Sequence, residues 1–232
     1  METEKTGRYF KYALGEIILV VIGILIALQI NNCNENRKSK AIELSILKEL
    51  LSDSKTNLMS LEEDVYLNTR TIASNNLIND VLQLGQPYHD SLNLHFGNVQ
   101  YNTQLTINTG GFENLKSRGF EYISNDSLRK SIIDLYDRWY GFINDLGEKN
   151  NKISIEQFNP VYKLYFTDYD RNLSTFYVSF KPLNYDELIQ NKEFLNLIRY
   201  QKYHDEYTIQ ALKVCIKEIK DLIGKIESEF KK

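Results

Sequence analysis

Apolar residues are spread unevenly along this chain. From Ala13 to Ile30 it reads ALGEIILVVIGILIALQI, with twelve Ile, Leu and Val side chains, and no other stretch is so apolar. The uninterrupted part, Ile17–Ile30, makes about 21 Å of helix, which is short of a ~30 Å hydrocarbon core. Extension back through Tyr9, Phe10, Tyr12 and Leu14 gives about 33 Å and carries Glu16 in with it. The pattern therefore predicts one membrane-spanning helix with one buried carboxyl. Twelve aliphatic side chains at roughly −0.3 to −0.6 kcal/mol each outweigh one carboxylate at roughly +3 kcal/mol.

Beyond the anchor the period changes to that of amphipathic helices. A heptad-like track of Leu47, Leu51, Leu58, Leu61, Val65 and Ile72, with Ser54 and Asn68 as polar members, predicts one long helix from Asn34 to about Leu84, stopped by Gly85 and Pro87. From Gln86 to Gly111 the pattern loosens to loop with a short helix near Ser91–Phe96. A small helix is expected between Gly111 and Gly119. A stronger one, capped at Asn125 or Asp126, carries Leu128, Ile132, Leu135, Trp139, Phe142 and Leu146, with a break near Gly147–Asn151 and a kink at Pro160. Thr167–Lys181 alternates aromatic and polar residues (Phe176, Val178, Phe180), as a short strand or extended loop does. The last helix runs from Asn191 to about Phe230 on Leu195, Ile198, Tyr207, Leu212, Ile216, Ile219, Ile223 and Ile226. The expected fold is all-α: one N-terminal transmembrane helix followed by an antiparallel helical bundle.

Lys5, Arg8 and Lys11 before the apolar run also fit an export signal, but the AsnAsnCysAsnGluAsn after it holds no small-x-small cleavage site, and no small residue precedes Cys33 as in a lipoprotein. Arg37, Lys38 and Lys40 balance the basic residues before the helix, so charge alone sets no orientation. A short tail before a long domain favours residues 1–12 in the cytoplasm, 13–32 in the inner membrane and 33–232 as a periplasmic domain. The net charge of −3 argues against nucleic acid as a partner. The two cysteines, Cys33 and Cys215, make no disulfide framework.

Candidate chemistry is sparse. His89, His95 and His204 have no ligand spacing and neither cysteine belongs to a CxxC pair, so no metal or cofactor is expected. No nucleophile motif, phosphate loop or dinucleotide fingerprint appears, and the chain is expected not to be an enzyme. The Thr109-Gly110-Gly111 turn suits a helix cap, or an anion at a helix N-terminus. Trp139, Tyr140, Arg199, Tyr203 and Tyr207 form a candidate aromatic and cationic pocket for a small ligand, against aromatic core packing as the plain alternative. Within the anchor, Gly23 and Ala27 each fall within about 20° of Glu16 on a helical wheel, flanked by Val20 and Ile30. Gly23-x-x-x-Ala27 permits close helix approach, and a carboxyl on the same stripe faces a partner helix or snorkels to the interface.

The segment FKYALGEIILVVIGILIALQINN, Phe10–Asn32, resembles the opening of a family of uncharacterised Bacteroidota single-pass inner-membrane proteins. In that family the segment commonly continues Asn-Asn-Trp-Asn-Glu; Cys33 stands at the tryptophan position here. Weaker resemblance continues through Asn108–Leu115, Asn125–Arg129 and Asn191–Arg199. It implies a topology and no activity. The function expected is a non-catalytic subunit or adaptor of an inner-membrane complex, in contact with lipid and with a membrane-protein partner or further copies of itself. A periplasmic ligand-sensing bundle coupled to a membrane partner is the alternative.

Overall fold

The computed structural model describes residues 3–100, 102, 103, 105–172 and 177–231. Phe176 and the side chains of Tyr9, Phe10, Tyr12 and Leu14 lie outside the described residues. The chain is mostly helical. Helix α1 spans Thr3–Gln83 as one 81-residue element, about 120 Å long. It passes both expected domain boundaries without a break. It stops where Gly85 takes a left-handed φ of 60°, which lets Gln86 N–H reach Val81 O and Gly85 N–H reach Leu82 O.

From Glu16 to Ala41 every residue of α1 is exposed, and among the described side chains the first that is buried is Glu43. This first part of α1 is long and apolar enough to be a candidate membrane span. After α1 come α2 (Leu92–Val99), α3 (Gly110–Arg118), α4 (Asp126–Ile133), α5 (Gly141–Ile153), α6 (Asn159–Tyr165), the strands β1 (Phe166–Asn172) and β2 (Tyr177–Pro182), the short α7 (Tyr185–Leu188) and α8 (Lys192–Glu229). The strands pair antiparallel with a bulge between Phe166 and Asp168, so the described residues of the alternating stretch are strand.

Two π-helical turns, Asp134–Tyr140 and Ser154–Phe158, join α4, α5 and α6 into one rod. They correct two expectations. The rod shows no break at Gly147–Asn151, because α5 runs through it. Each π turn also inserts residues into the 3.6 period and rotates the helix beyond it. Within and just beyond the first, Tyr136, Tyr140 and Ile143 enter the core while Trp139 is half-buried and Phe142 lies at the surface.

Helices α1 and α8 pack lengthwise: Lys55 pairs with Glu227, Glu62 with Lys220, and Asn79 accepts from Arg199, so numbers rise on one as they fall on the other. Two apolar clusters fill the domain. The cluster nearer the apolar segment joins Ile46, Leu47, Leu50 and Leu61 of α1 to Leu212, Ile219 and Ile226 of α8, with Phe112 and Tyr140 between. The far cluster holds Ile78 and Leu82 against Phe96, Phe158, Tyr162, Phe166 and Phe194. Gly97 lets α2 lie flat on β2, since a Cβ there would stand 1.6 Å from Val178 O.

Candidate functional site

Between the two clusters the α1–α8 seam turns polar. On α1, Asp64, Asn68, Thr71, Ser74 and Asn75 are buried, and on α8 so are His204, Asp205 and Thr208. Most find partners. Asn68 Nδ2 donates to Asp64 O at 2.7 Å and to Thr103 Oγ1 at 3.2 Å. Asn98 Nδ2 donates to Ser74 Oγ at 3.0 Å, and Asn75 Nδ2 to Ile198 O. Four acceptor oxygens stay without a partner: Asp64 Oδ2, Asn75 Oδ1, Asn150 Oδ1 and Asp205 Oδ2. Burial, with Glu63 adding to it, pushes the Asp64 carboxyl up to about 6. Burial pushes Asp205 up to about 8, against a bond from Gln201 that lowers it and with Glu206 raising it further. Burial, helped by Lys149, holds His204 below the ordinary histidine range. A buried polar group without a partner costs free energy, so this belt is the least settled part of the core.

Of the segments that carry the sequence resemblance, the one from Asn108 clips onto α1, and those from Asn125 and Asn191 begin with helix caps. Asn57 reads the backbone of Asn108 from both sides: its Oδ1 accepts from Asn108 N–H at 2.8 Å and its Nδ2 donates to Asn108 O at 2.9 Å. Gly111 N–H donates to Asp53 Oδ2 at 2.7 Å, and a Cβ at Gly111 would meet Leu50 N at 2.9 Å. Asp53 thus supplies the negative charge that the N-terminus of α3 favours. Glu43 accepts from both the N–H and the hydroxyl of Ser124 at 2.8 Å, while Asn125 caps Ser127 and Leu128 through its Oδ1 and gives Nδ2 to Glu229. Burial pushes the Glu43 carboxyl up, but the bonds from Lys40 and Ser124 outweigh it and hold it below the usual value. Asn191 caps α8 by accepting from Phe194 N–H at 2.9 Å.

The structure separates the five residues expected to line a ligand pocket. Tyr140 is buried, its hydroxyl accepting from Asn57 at 3.2 Å, and Trp139 lies under Arg138. Arg199, Tyr203 and Tyr207 sit on the outer face of α8, where Arg199 reaches Asn79. Asn57 and Asn79 are about 33 Å apart along α1, so the two groups share no cavity. In the apolar segment, Glu16, Val20, Gly23, Ala27 and Ile30 are all exposed in the single chain, and a Cβ at Gly23 would meet nothing within 4 Å. Among the described residues no three His, Cys, Asp or Glu side chains gather at one point.

Comparison with known families matches residues 16–204 to a Family of unknown function (DUF6090). The chain belongs to DUF6090. No curated protein and no solved structure matches. The DUF6090 match takes in most of the apolar segment, the Asn57–Asn108 clip and the polar belt as far as His204, and the remainder of α8 lies beyond it. Sequence reasoning missed the belt because a search for apolar periodicity passes over it. The signal was present in the unbroken three-and-four spacing of Asn57, Leu61, Asp64, Asn68, Thr71 and Asn75.

Proposed function

We propose that this protein is a non-catalytic, single-pass subunit or adaptor of an inner-membrane complex, with residues 1–12 cytoplasmic, 13–32 in the membrane and 33–232 an antiparallel periplasmic bundle. The observation that carries this reading is the continuity of α1: an apolar, unpartnered segment and the spine of the folded domain are one helix. An apolar helix exposed on all sides needs lipid around it, and the Glu16–Gly23–Ala27 stripe suits a second helix, from a membrane-protein partner or another copy of this chain. Polar belts with orphan acceptors support the competing reading, a periplasmic ligand-sensing bundle, because a ligand can complete them.

Co-purification of partner chains in mild detergent tests the proposal. Gly23→Ile adds bulk on the stripe and is expected to disrupt assembly, while Leu25→Ile, about 160° away on the wheel, leaves it intact. Glu16→Gln keeps shape and hydrogen bonding and is expected to assemble. Equal behaviour of the two isoleucine variants would remove the stripe as an interface.

A further inference from the structure

One cavity in the polar belt is lined mostly by polar side chains that can each accept a hydrogen bond. Its wall includes Gln100, Asn102, Asn150, Ser154, Gln201 and His204, and its volume is about 10 Å³, the room one water-sized particle needs. Three of these side chains are amides whose nitrogen donates one bond to a residue outside the wall. Asn150 Nδ2 donates to Thr208 Oγ1 at 2.9 Å, Gln100 Nε2 to Asn159 Oδ1 at 2.7 Å, and Gln201 Nε2 to Asp205 Oδ1 at 2.8 Å. The opposite end of each amide is a carbonyl oxygen. Asn150 Oδ1 is buried with no partner at all. One wall of the cavity begins the π turn Ser154–Phe158, an irregularity in the helix at the place where the cavity forms.

With the amide oxygens turned inward, as the unpartnered Asn150 Oδ1 suggests, the cavity would repel anions. It contains no carboxylate of its own, so it lacks the hard charged ligands that a divalent cation requires. Neutral oxygens suit a cation of single charge, whose hydration shell they replace. Asp205 stands behind Gln201 with its second oxygen unpartnered, and a cation held in the cavity would favour its ionised form. We propose that this cavity binds one potassium-sized monovalent cation through the side-chain oxygens of Gln100, Asn102, Asn150, Ser154 and Gln201. The ion ties the segment after α2, the π turn and α8 together at the level where the two apolar clusters leave the seam without apolar packing.

Thermal melting of the full chain in detergent tests this at constant ionic strength, with potassium chloride, ammonium chloride or N-methyl-D-glucamine chloride as the salt. Potassium and ammonium are expected to raise the melting temperature saturably, by roughly 3–5 °C at about tenfold the dissociation constant, relative to the large organic cation. Asn150→Leu is expected to abolish this increment, and Asn150→Asp to reach it at a several-fold lower potassium concentration. Identical melting in all three salts would overturn the proposal and leave the cavity to a water molecule. So would a potassium increment that survives intact in Asn150→Leu. If the leucine variant does not fold, an unchanged potassium midpoint in Asn150→Asp overturns it equally.

Discussion

At the scale of single residues, Asp205 shows what burial without full pairing does to a carboxyl. It is 4% exposed, and burial, opposed by Gln201 and reinforced by Glu206, pushes its pKa up to about 8 from 3.8. A carboxyl whose folded pKa is raised contributes stability that is complete below about pH 4 and is lost as pH rises to about 8, at up to about 1.4 kcal/mol per unit. Melting in potassium-free buffer should therefore fall between pH 5 and pH 8. Asp205→Asn should flatten most of that slope, while Asp64, raised for the same reason, leaves a smaller one below about 6. The cysteines differ in the same physical way. Cys215 is buried, and burial, with Glu218 adding, pushes its thiol up to about 12, whereas Cys33 is exposed. Membrane-impermeant maleimide added outside spheroplasts should label Cys33 at once and Cys215 only after unfolding. Labelling of Cys33 only after lysis would reverse the proposed orientation.

At the scale of elements, the helices were legible and their faces only half so. The long α1, its stop at Gly85, the cap at Asn125 and the span of α8 all come from period, caps and breakers. The buried edge of α1 is different. Apolarity picks Leu51, Leu58, Val65 and Ile72, which the structure leaves half-buried, while their neighbours Leu50, Asn57, Asp64 and Thr71 are buried. The seam keeps the 3–4 spacing but sits one residue earlier at alternate positions, because Asn57 is needed to hold Asn108 and the belt needs its polar members. A similar offset on α8 buries Phe194, Cys215 and Leu222 in place of Leu195, Ile216 and Ile223. In the α4–α6 rod the cause is the π turns, which no fixed period reports. The expected register is therefore open to measurement. Leu61→Asp, at a fully buried position, should cost several kcal/mol in denaturant unfolding, and Leu58→Asp markedly less. Glu62→Ala, which breaks only the half-exposed pair with Lys220, should cost under about 1 kcal/mol.

At the scale of the whole molecule, a folded body sits on one end of a rod. Packing begins at Glu43, and the end of α8 returns beside it, since Lys55 reaches Glu227 and Asn125 reaches Glu229. Between the apolar segment and that body, residues 31–41 form a bare helix with polar side chains nearly all round, supported locally by Glu35–Lys38. On a straight helix, Gly23 and Ala27 point about 180° from the side of α1 that carries Leu50 and Ser54. A pair of chains joined along that stripe would stand back to back, with each α8 on the outside.

A helix that never breaks also fixes a compass bearing. Each residue added to the bare neck turns the domain by about 100° about the rod and lifts it by about 1.5 Å. Two alanines inserted after Asn36 rotate the domain by about 200°; seven bring it back to within about 20° while raising it about 10 Å. If a partner contacts both the anchor and the domain, complementation of a deletion strain should fail with two alanines and return with seven. Failure of both would mean that height matters as well as bearing, and success of both would mean that the domain acts as a tethered body whose direction no partner reads.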